Sequence, residues 1–271
     1  MNTSKVIVIT GASSGIGKAC AVQFASKGWN VVISGRDAER LKQVQAFIHT
    51  NYPESGILSV KGDVSSEKDC EDLISQSIGA FGRIDVLINN AGISMRGLFA
   101  DTDLNVLRTL IDTNFWGAVY CTKYALPYLF QSKGSVVGIS SIAGKKGLPG
   151  RTGYSASKFA LEGFLETLRI ETLKSGLHVM VACPGFTASS IRLSSLGPDG
   201  TPQKESPREE NKMMTADEVA LRIYDGILKR KRDLIMTSNG KMTVFMNKFF
   251  PAFMDKVVYK YMAREPGSPF K

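Results

Sequence analysis

The chain predicts an α/β protein, a doubly wound parallel sheet of about seven strands with helices on both faces and a basic, amphipathic C-terminal segment. Two observations carry that prediction. Short apolar runs of strand length alternate with helix-length segments along most of the 271 residues, which is the rhythm of βαβ units joined by right-handed crossovers. The first apolar run also passes straight into a glycine-rich turn that opens a helix. Composition agrees: 43% hydrophobic and 22% charged residues with 26 Gly and 10 Pro exclude disordered and collagen-like chains. A chain of this length buries a core without disulfide or metal staples.

Taken in order, the expected strands are Val6–Thr10, Val31–Ser34, Ile57–Lys61, Val86–Asn89, Val136–Ser140, Val179–Ala182 and Leu234–Met236. A helix after the glycine-rich turn is expected to run through Lys27. Asp37 is expected to cap a helix at Ala38–Ile48 and Ser66 one at Glu67–Ile78. Thr215-x-x-Glu218 is a capping box for a helix running toward Lys229. Residues 187–214 break the rhythm with prolines, glycines and scattered charges, and are expected to form a substrate lid or binding loop. The division expected is a catalytic domain at 1–240 and a C-terminal extension at 241–271.

Cysteines and histidines narrow the chemistry. Cys20, Cys70, Cys121 and Cys183 are widely spaced and read as reduced core residues. With only His49 and His178 present, no metal site or histidine triad is expected. No secretory signal or membrane span is read from the sequence, so a cytoplasmic location is expected, with peripheral membrane contact as an open addition. Charge is uneven. Lys229 to Lys271 holds ten Lys/Arg against three Asp/Glu in a chain of net charge +9, which points to an anionic partner near the C-terminus.

The turn Thr10-Gly11-Ala12-Ser13-Ser14-Gly15-Ile16-Gly17 suits a pyrophosphate: its glycines allow close backbone approach and the helix N-terminus meets the charge. A Gly/Ser-rich turn without a ligand is the alternative. At the end of the second strand, Ser34-Gly35-Arg36 offers no acid for a ribose hydroxyl before Asp37, whereas Arg36 has a planar fork suited to a 2′-phosphate. NADP(H) is therefore the expected cofactor.

Tyr154-Ser-Ala-Ser-Lys158 places a phenol and an ammonium one helical turn apart on one face. A nearby positive charge favours phenolate and lowers the tyrosine pKa. Upstream, the Ser141 hydroxyl is suited to polarise a carbonyl oxygen that Tyr154 protonates. A turn serine satisfying local backbone is the alternative.

These residues resemble the short-chain dehydrogenase/reductase family, in its subclass of about 250 residues. The resemblance rests on Thr10-Gly-x-x-x-Gly-x-Gly17, Asp63-Val64, Asn89-Asn-Ala-Gly92, Asn114, Ser141, Tyr154-x-x-x-Lys158 and Pro184-Gly185, in the family's order from Val6 to about Ile235. It implies a Rossmann-like fold with Asn114, Ser141, Tyr154 and Lys158 as the catalytic set, Asn114 holding a water in a proton relay. It implies that Gly11, Ser13, Ser14, Gly15, Ile16, Gly17, Arg36, Asp63, Val64, Asn90, Ala91, Gly92, Tyr154, Lys158, Pro184, Gly185 and Thr187 bind the cofactor. The expected wall of the substrate site includes Met95, Arg96, Ile142, Lys145, Leu148 and Phe186.

Fragments around Gly11–Lys18 and Tyr154–Ala160 are similar to 3-ketosphinganine reductases and 11β-hydroxysteroid dehydrogenases. They imply reduction of a lipophilic ketone such as 3-ketosphinganine, with a 3-oxoacyl thioester or a hydroxysteroid as alternatives. A non-catalytic NADP(H)-binding sensor on the same fold is a further alternative, which the intact Ser141, Tyr154 and Lys158 disfavour. The family commonly pairs through helices here expected at Asp103–Phe130 and Thr152–Leu173, giving a homodimer or homotetramer. Beyond Pro251, Phe253, Met254, Val257, Val258, Tyr261 and Met262 read as one helix face. An anionic membrane, the chain's own domain and a partner subunit all stay open as what that face meets. No nucleic-acid motif accompanies the basic residues.

Overall fold

The computed structural model describes residues 4–187, 191, 194–203 and 213–270. Seven parallel strands form one sheet in the order β3-β2-β1-β4-β5-β6-β7. They are β1 (Val6–Thr10), β2 (Asn30–Gly35), β3 (Ile57–Lys61), β4 (Val86–Asn89), β5 (Ser135–Ile139), β6 (His178–Cys183) and β7 (Asp233–Ile235). Each overlaps the apolar run that predicts it. Because successive side chains face opposite ways, Ile7 and Ile9 join one core layer and Val6 and Val8 the other.

The first layer lies under α1 (Gly15–Ala25), α2 (Ala38–Asn51) and α7 (Ala216–Leu228), with Phe24, Leu41, Ile48 and Ile223 at its centre. The second lies under α3 (Glu67–Phe81), α5 (Gly117–Gln131) and α6 (Thr152–Glu171), with Leu73, Cys121, Leu129, Leu161 and Leu165. All four cysteines are buried and unpaired, and burial pushes the Cys20 thiol up to about 12.

The caps follow the sequence. Asp37 accepts from the Arg40 amide at 3.0 Å and Ser66 from the Asp69 amide at 3.2 Å. At α7 the Thr215 hydroxyl accepts from the Glu218 amide while Glu218 reaches back to the Thr215 amide, so both donors are satisfied reciprocally. One expected helix is continuous but carries a local departure. The single helix expected over Asp103–Phe130 is α4 (Leu104–Ile111), a π-turn over Asp112–Trp116, and α5. The wider turn places Asn114 where its side chain meets the loop after β4, a common use of π-turns at functional sites.

The basic run Lys229–Arg232 connects α7 to β7, as expected of a run before the last strand, and there Arg230 donates to the Gly176 carbonyl at 2.6 Å and Arg232 pairs with Glu166 at 2.8 Å. The strand carries the chain to the end of the sheet where the carboxyl ends of the strands lie, and α8 (Ser238–Phe249) and α9 (Pro251–Ala263) follow.

The expected six-residue face of α9 divides. Met254, Val258 and Met262, spaced by four, are buried against Leu148, Met246 and Phe270. Phe253, Val257 and Tyr261 are exposed. Ion pairs of Asp255 with Lys146 and of Glu265 with Arg151 fasten this end of the chain to the loop before α6, and Arg96 donates to the Pro266 carbonyl. Among the described residues no helix is long and apolar enough to cross a membrane.

Candidate active site

A cleft of about 780 Å³ opens at the carboxyl ends of the strands. It spans the point where the strand order reverses between β1 and β4, which is where open α/β sheets receive ligands.

One end is made of main chain. Gly11 has φ +64°, and a Cβ there would stand 2.7 Å from the Ala91 Cα, so only glycine brings this turn against the loop after β4. Thr10 and Asn90 lock the two together. The Thr10 hydroxyl accepts from the amides of Asn90 and Ala91, and Asn90 Nδ2 donates to the carbonyls of Thr10 and Gly11 at 2.9 Å each. Helix α1 begins here with no acidic residue in its first turn, and its N-terminal residues Gly15 and Ile16 line the cleft, so its positive end suits an anion.

Ser13, Ser14, Gly15 and Ile16 line the cleft with Gly11, but Gly17 does not. A Cβ on Gly17 would strike the Gly11 carbonyl and come within 2.5 Å of Asn90 Nδ2. Its contribution is close packing behind the wall.

Further along, Arg36, Asp63 and Val64 line the cleft as expected. Arg36 and Asp63 stand 3.9 Å apart with both side chains exposed, a pair of little energy in water. Arg40 lines the same corner and was not anticipated. Its signal was present in the sequence, since it lies in the first turn of the helix capped by Asp37, on the side facing the end of β2.

At the other end the structure brings Ser141, Tyr154 and Lys158 to one wall with Gly92, Pro184, Gly185 and Thr187. Ser141 caps the short turn Ile142–Gly144 after β5, its hydroxyl accepting from the Ala143 amide at 3.2 Å. Lys158 Nζ donates to the Ile139 carbonyl at 2.8 Å and stands 5.8 Å from the Tyr154 ring centre. Burial lowers its pKa to about 8. Burial also raises the Tyr154 pKa, opposed by a hydrogen bond from Ser141 and the charge of Arg151. The net direction is opposite to the lowering expected from Lys158, and Arg151 is a cleft residue that sequence reasoning missed.

Asn114 lies behind this wall. Its Oδ1 accepts from the Ile93 amide at 2.8 Å, and its Nδ2 donates to the Ile93 carbonyl and to Ser157, each at 2.9 Å. The side-chain amide is thus committed to bracing the loop after β4. A Cβ on Gly92 would stand 3.1 Å from Asn114 Oδ1 and 3.4 Å from Lys158 Nζ, and would fill the space between loop and ammonium.

Of the expected substrate wall, Arg96, Leu148 and Phe186 line the cleft. Met95 is fully buried, and Lys145 turns away to Glu162 at 2.6 Å. Neither lines the cleft, and nor does Ile142. Within the expected lid at 187–214, residues 188–190, 192–193 and 204–212 lie outside the described residues. Thr187, Ile191, Ser194, Ser195, Pro202 and Gln203 border the cleft. Leu196 pairs with Met95 through the bonds Leu196 N–H to Ser94 and Arg96 N–H to Leu196, so this arm is held by backbone.

The cradle fits a nicotinamide dinucleotide: a turn of glycines and small serines with a helix N-terminus for the pyrophosphate, and at the far end a space by Gly92 that a Cβ would occupy.

The family model for short chain dehydrogenases matches residues 5–196. A dehydrogenase/reductase SDR family protein 7-like from Dictyostelium discoideum is 33% identical over 263 residues, covering 95% of this chain and 82% of that protein. A dehydrogenase/reductase SDR family member 7B from Danio rerio is 32% identical, with 97% and 87% covered. An 11-beta-hydroxysteroid dehydrogenase 1A from Arabidopsis thaliana is 41% identical over 188 residues, with 69% and 53% covered. Among solved structures, a short-chain dehydrogenase/reductase from Burkholderia phymatum in complex with NAD superposes with a TM-score of 0.80 at 23% identity, covering 99% of this chain and 98% of that one. An alcohol dehydrogenase from Thermococcus sibiricus complexed with 5-hydroxy-NADP gives 0.73 at 23% identity, with 86% and 96% covered. With a Rossmann-like sheet, a cradle for a nicotinamide cofactor, a family model over residues 5–196 and relatives covered to 82% and 87% of their length, the chain belongs to the short-chain dehydrogenase/reductase family of oxidoreductases.

Proposed function

We propose that the protein is an NADP(H)-dependent reductase that converts a lipophilic ketone into a secondary alcohol, with 3-ketosphinganine as the substrate class to test first. The observation that carries this reading is the pairing of two arginines, Arg36 and Arg40, at one end of the cleft with Ser141, Tyr154 and Lys158 at the other. Two guanidinium groups and no unpaired carboxylate at the end of β2 suit a 2′-phosphate. Gly11, Ser13, Ser14, Gly15 and Ile16 hold the pyrophosphate, Asp63 and Val64 the adenine, and Asn90, Ala91, Gly92, Pro184, Gly185 and Thr187 the nicotinamide half.

When bound, the nicotinamide supplies the hydride. Ser141 donates a hydrogen bond to the carbonyl oxygen as charge develops there. Tyr154, kept as a phenol by its burial, delivers its proton to that oxygen. Ser141 and Arg151 stabilise the phenolate that remains. Lys158 holds the ribose as an ammonium. Because the Asn114 amide is committed to Ile93 and Ser157, the relay water rests on its main-chain carbonyl.

The lipophilic reading draws on α8 and α9. Met242, Phe245, Phe249, Phe250 and Phe253 are 56–61% exposed, beside Lys241, Lys248, Lys256 and Lys260 on the same two helices. Exposed aromatic side chains among lysines fit a surface of anionic lipid. We place self-association, as a homodimer or homotetramer, on exposed Leu104 and Trp116 near α4 and α5 and Phe159 and Ile170 of α6. A steroid is the second reading, favoured by the Arabidopsis relative's name and its 41% identity.

NADPH oxidation with 3-ketosphinganine in mixed micelles, against a ketosteroid panel in the same micelles, separates the two. Turnover of the long-chain ketone supports the first reading, turnover of a ketosteroid alone supports the second, and turnover of neither contradicts both.

A further inference from the structure

The geometry points to Glu162 as a positioning residue for the reductase, holding both ends of the turn that aims the Ser141 hydroxyl. The inference rests on the reading of Ser141, Tyr154 and Lys158 as the reacting groups, and adds a residue that touches none of the reacting atoms.

Glu162 lies on α6 one helical turn beyond Lys158 and two beyond Tyr154, on the same stripe of the helix. It is only 8% exposed. A carboxylate so placed is costly unless its oxygens are met by charge and hydrogen bonds, and the groups that meet it come from around Ser141. Ser140 Oγ donates to it at 2.6 Å, from the residue just before Ser141. Lys145 Nζ pairs with it at 2.6 Å, from the residue just after the turn Ile142–Gly144. The carboxylate thus spans the turn from both sides.

The turn is fitted to it. A Cβ on Gly144 would stand 2.5 Å from Glu162 Oε1 and 2.6 Å from Ser140 Oγ, so the main chain packs directly on the carboxylate. Ser141 is the first residue of this turn and is bonded within it, to the Ala143 amide. Its direction is inherited from how the turn is held.

The remaining groups facing Glu162 are the Cys183 thiol of β6 at 3.6 Å and, through Lys145, Asp233 of β7 at 3.7 Å from that ammonium. Lys158 lies on its own helix, where burial disfavours the protonated lysine and Cys183 and then the negative charge of Glu162 favour it. Removing the charge therefore loosens the Ser141 turn and also makes the Lys158 ammonium easier to deprotonate.

The test compares full-length wild type with Glu162→Gln, Glu162→Asp, Ser140→Ala and Lys145→Met, using whichever ketone wild type reduces. For Glu162→Gln, kcat is expected to fall on the order of 10–100-fold, the scale of a small misplacement of a reacting group. NADPH affinity and the ketone KM are expected to stay within about twofold, and the alkaline fall in kcat to move to lower pH. Glu162→Asp restores the alkaline limb without restoring full kcat.

Wild-type kcat with an unmoved alkaline limb in Glu162→Gln overturns the proposal. If circular dichroism shows that variant unfolded, Ser140→Ala and Lys145→Met remove the two arms singly, and unchanged kcat in both overturns it equally. A wild type that binds NADPH but reduces no carbonyl compound overturns the reading of the site, and this proposal with it. Full turnover in Glu162→Gln overturns the proposal alone.

Discussion

At the Gly11–Gly17 turn the ligand-facing wall is main chain, set by positive φ and by contacts that a single Cβ would break. At α8 and α9 the outward wall is side chain, with Met242, Phe245, Phe249, Phe250, Phe253 and Tyr259 more than half exposed over an inner stripe of Met254, Val258 and Met262. The first surface is specified by residues adjacent in sequence, and substitution there attacks geometry. The second is specified by which of two neighbouring stripes the domain happens to cover, and substitution there changes what the surface attracts.

The widest separation between the two is expected at Gly17. Gly17→Val drives a side chain into the Gly11 carbonyl and Asn90, costing about 1–3 kcal/mol. NADPH affinity measured by fluorescence titration should fall by up to about 100-fold. Affinity within twofold of wild type would break the claim that backbone packing makes this wall.

Next comes the arginine corner. Arg36→Ala with Arg40→Ala removes charge-assisted bonding to the 2′-phosphate of about 1.5–3 kcal/mol in all. The ratio of NADPH to NADH affinity should fall by about 10–100-fold, with NADH affinity unchanged. An unchanged ratio contradicts the NADP(H) assignment.

The pH profile distinguishes function from stability at Lys158. Its folded pKa of about 8 lies below the ordinary lysine value of 10.5, so the unfolded chain binds more protons between these values. Its contribution to stability therefore rises with pH across that window. If the ammonium is the working form, kcat falls about tenfold per pH unit above 8, while this contribution to Tm increases. Parallel loss of kcat and Tm would instead indicate alkaline unfolding.

At the C-terminal surface, Phe245→Glu with Phe249→Glu should abolish pelleting with anionic vesicles at low salt. Turnover of a water-soluble ketone should change less than twofold. Wild type that does not pellet removes the membrane assignment without touching the site.

These differences also explain what was legible in the sequence. Caps at Asp37, Ser66 and Thr215 depend on residues three apart, and the structure has each. The cleft residues of Gly11–Ile16 and Ser141–Lys158 were legible for the same reason, through fixed spacing at strand ends. The inward stripe of α9 was not, because periodicity marks six apolar residues and only packing on Leu148 and Phe270 selects three. Nor was the environment of Tyr154, since burial and Arg151 act through the assembled wall. Glu162 left a partial trace, a third polar residue in the series Tyr154, Lys158, Glu162, but its meaning depends on Ser140 and Lys145 arriving from β5 and the turn beyond it.

The most direct test of the account is Tyr154→Phe compared with wild type in NADPH oxidation with 3-ketosphinganine, alongside NADPH titration of both. The prediction is a loss of at least about 100-fold in kcat, the lower range for a proton donor in the reacting position, with NADPH affinity unchanged. A variant that binds NADPH normally and turns over at the wild-type rate would contradict the assignment of the proton to Tyr154.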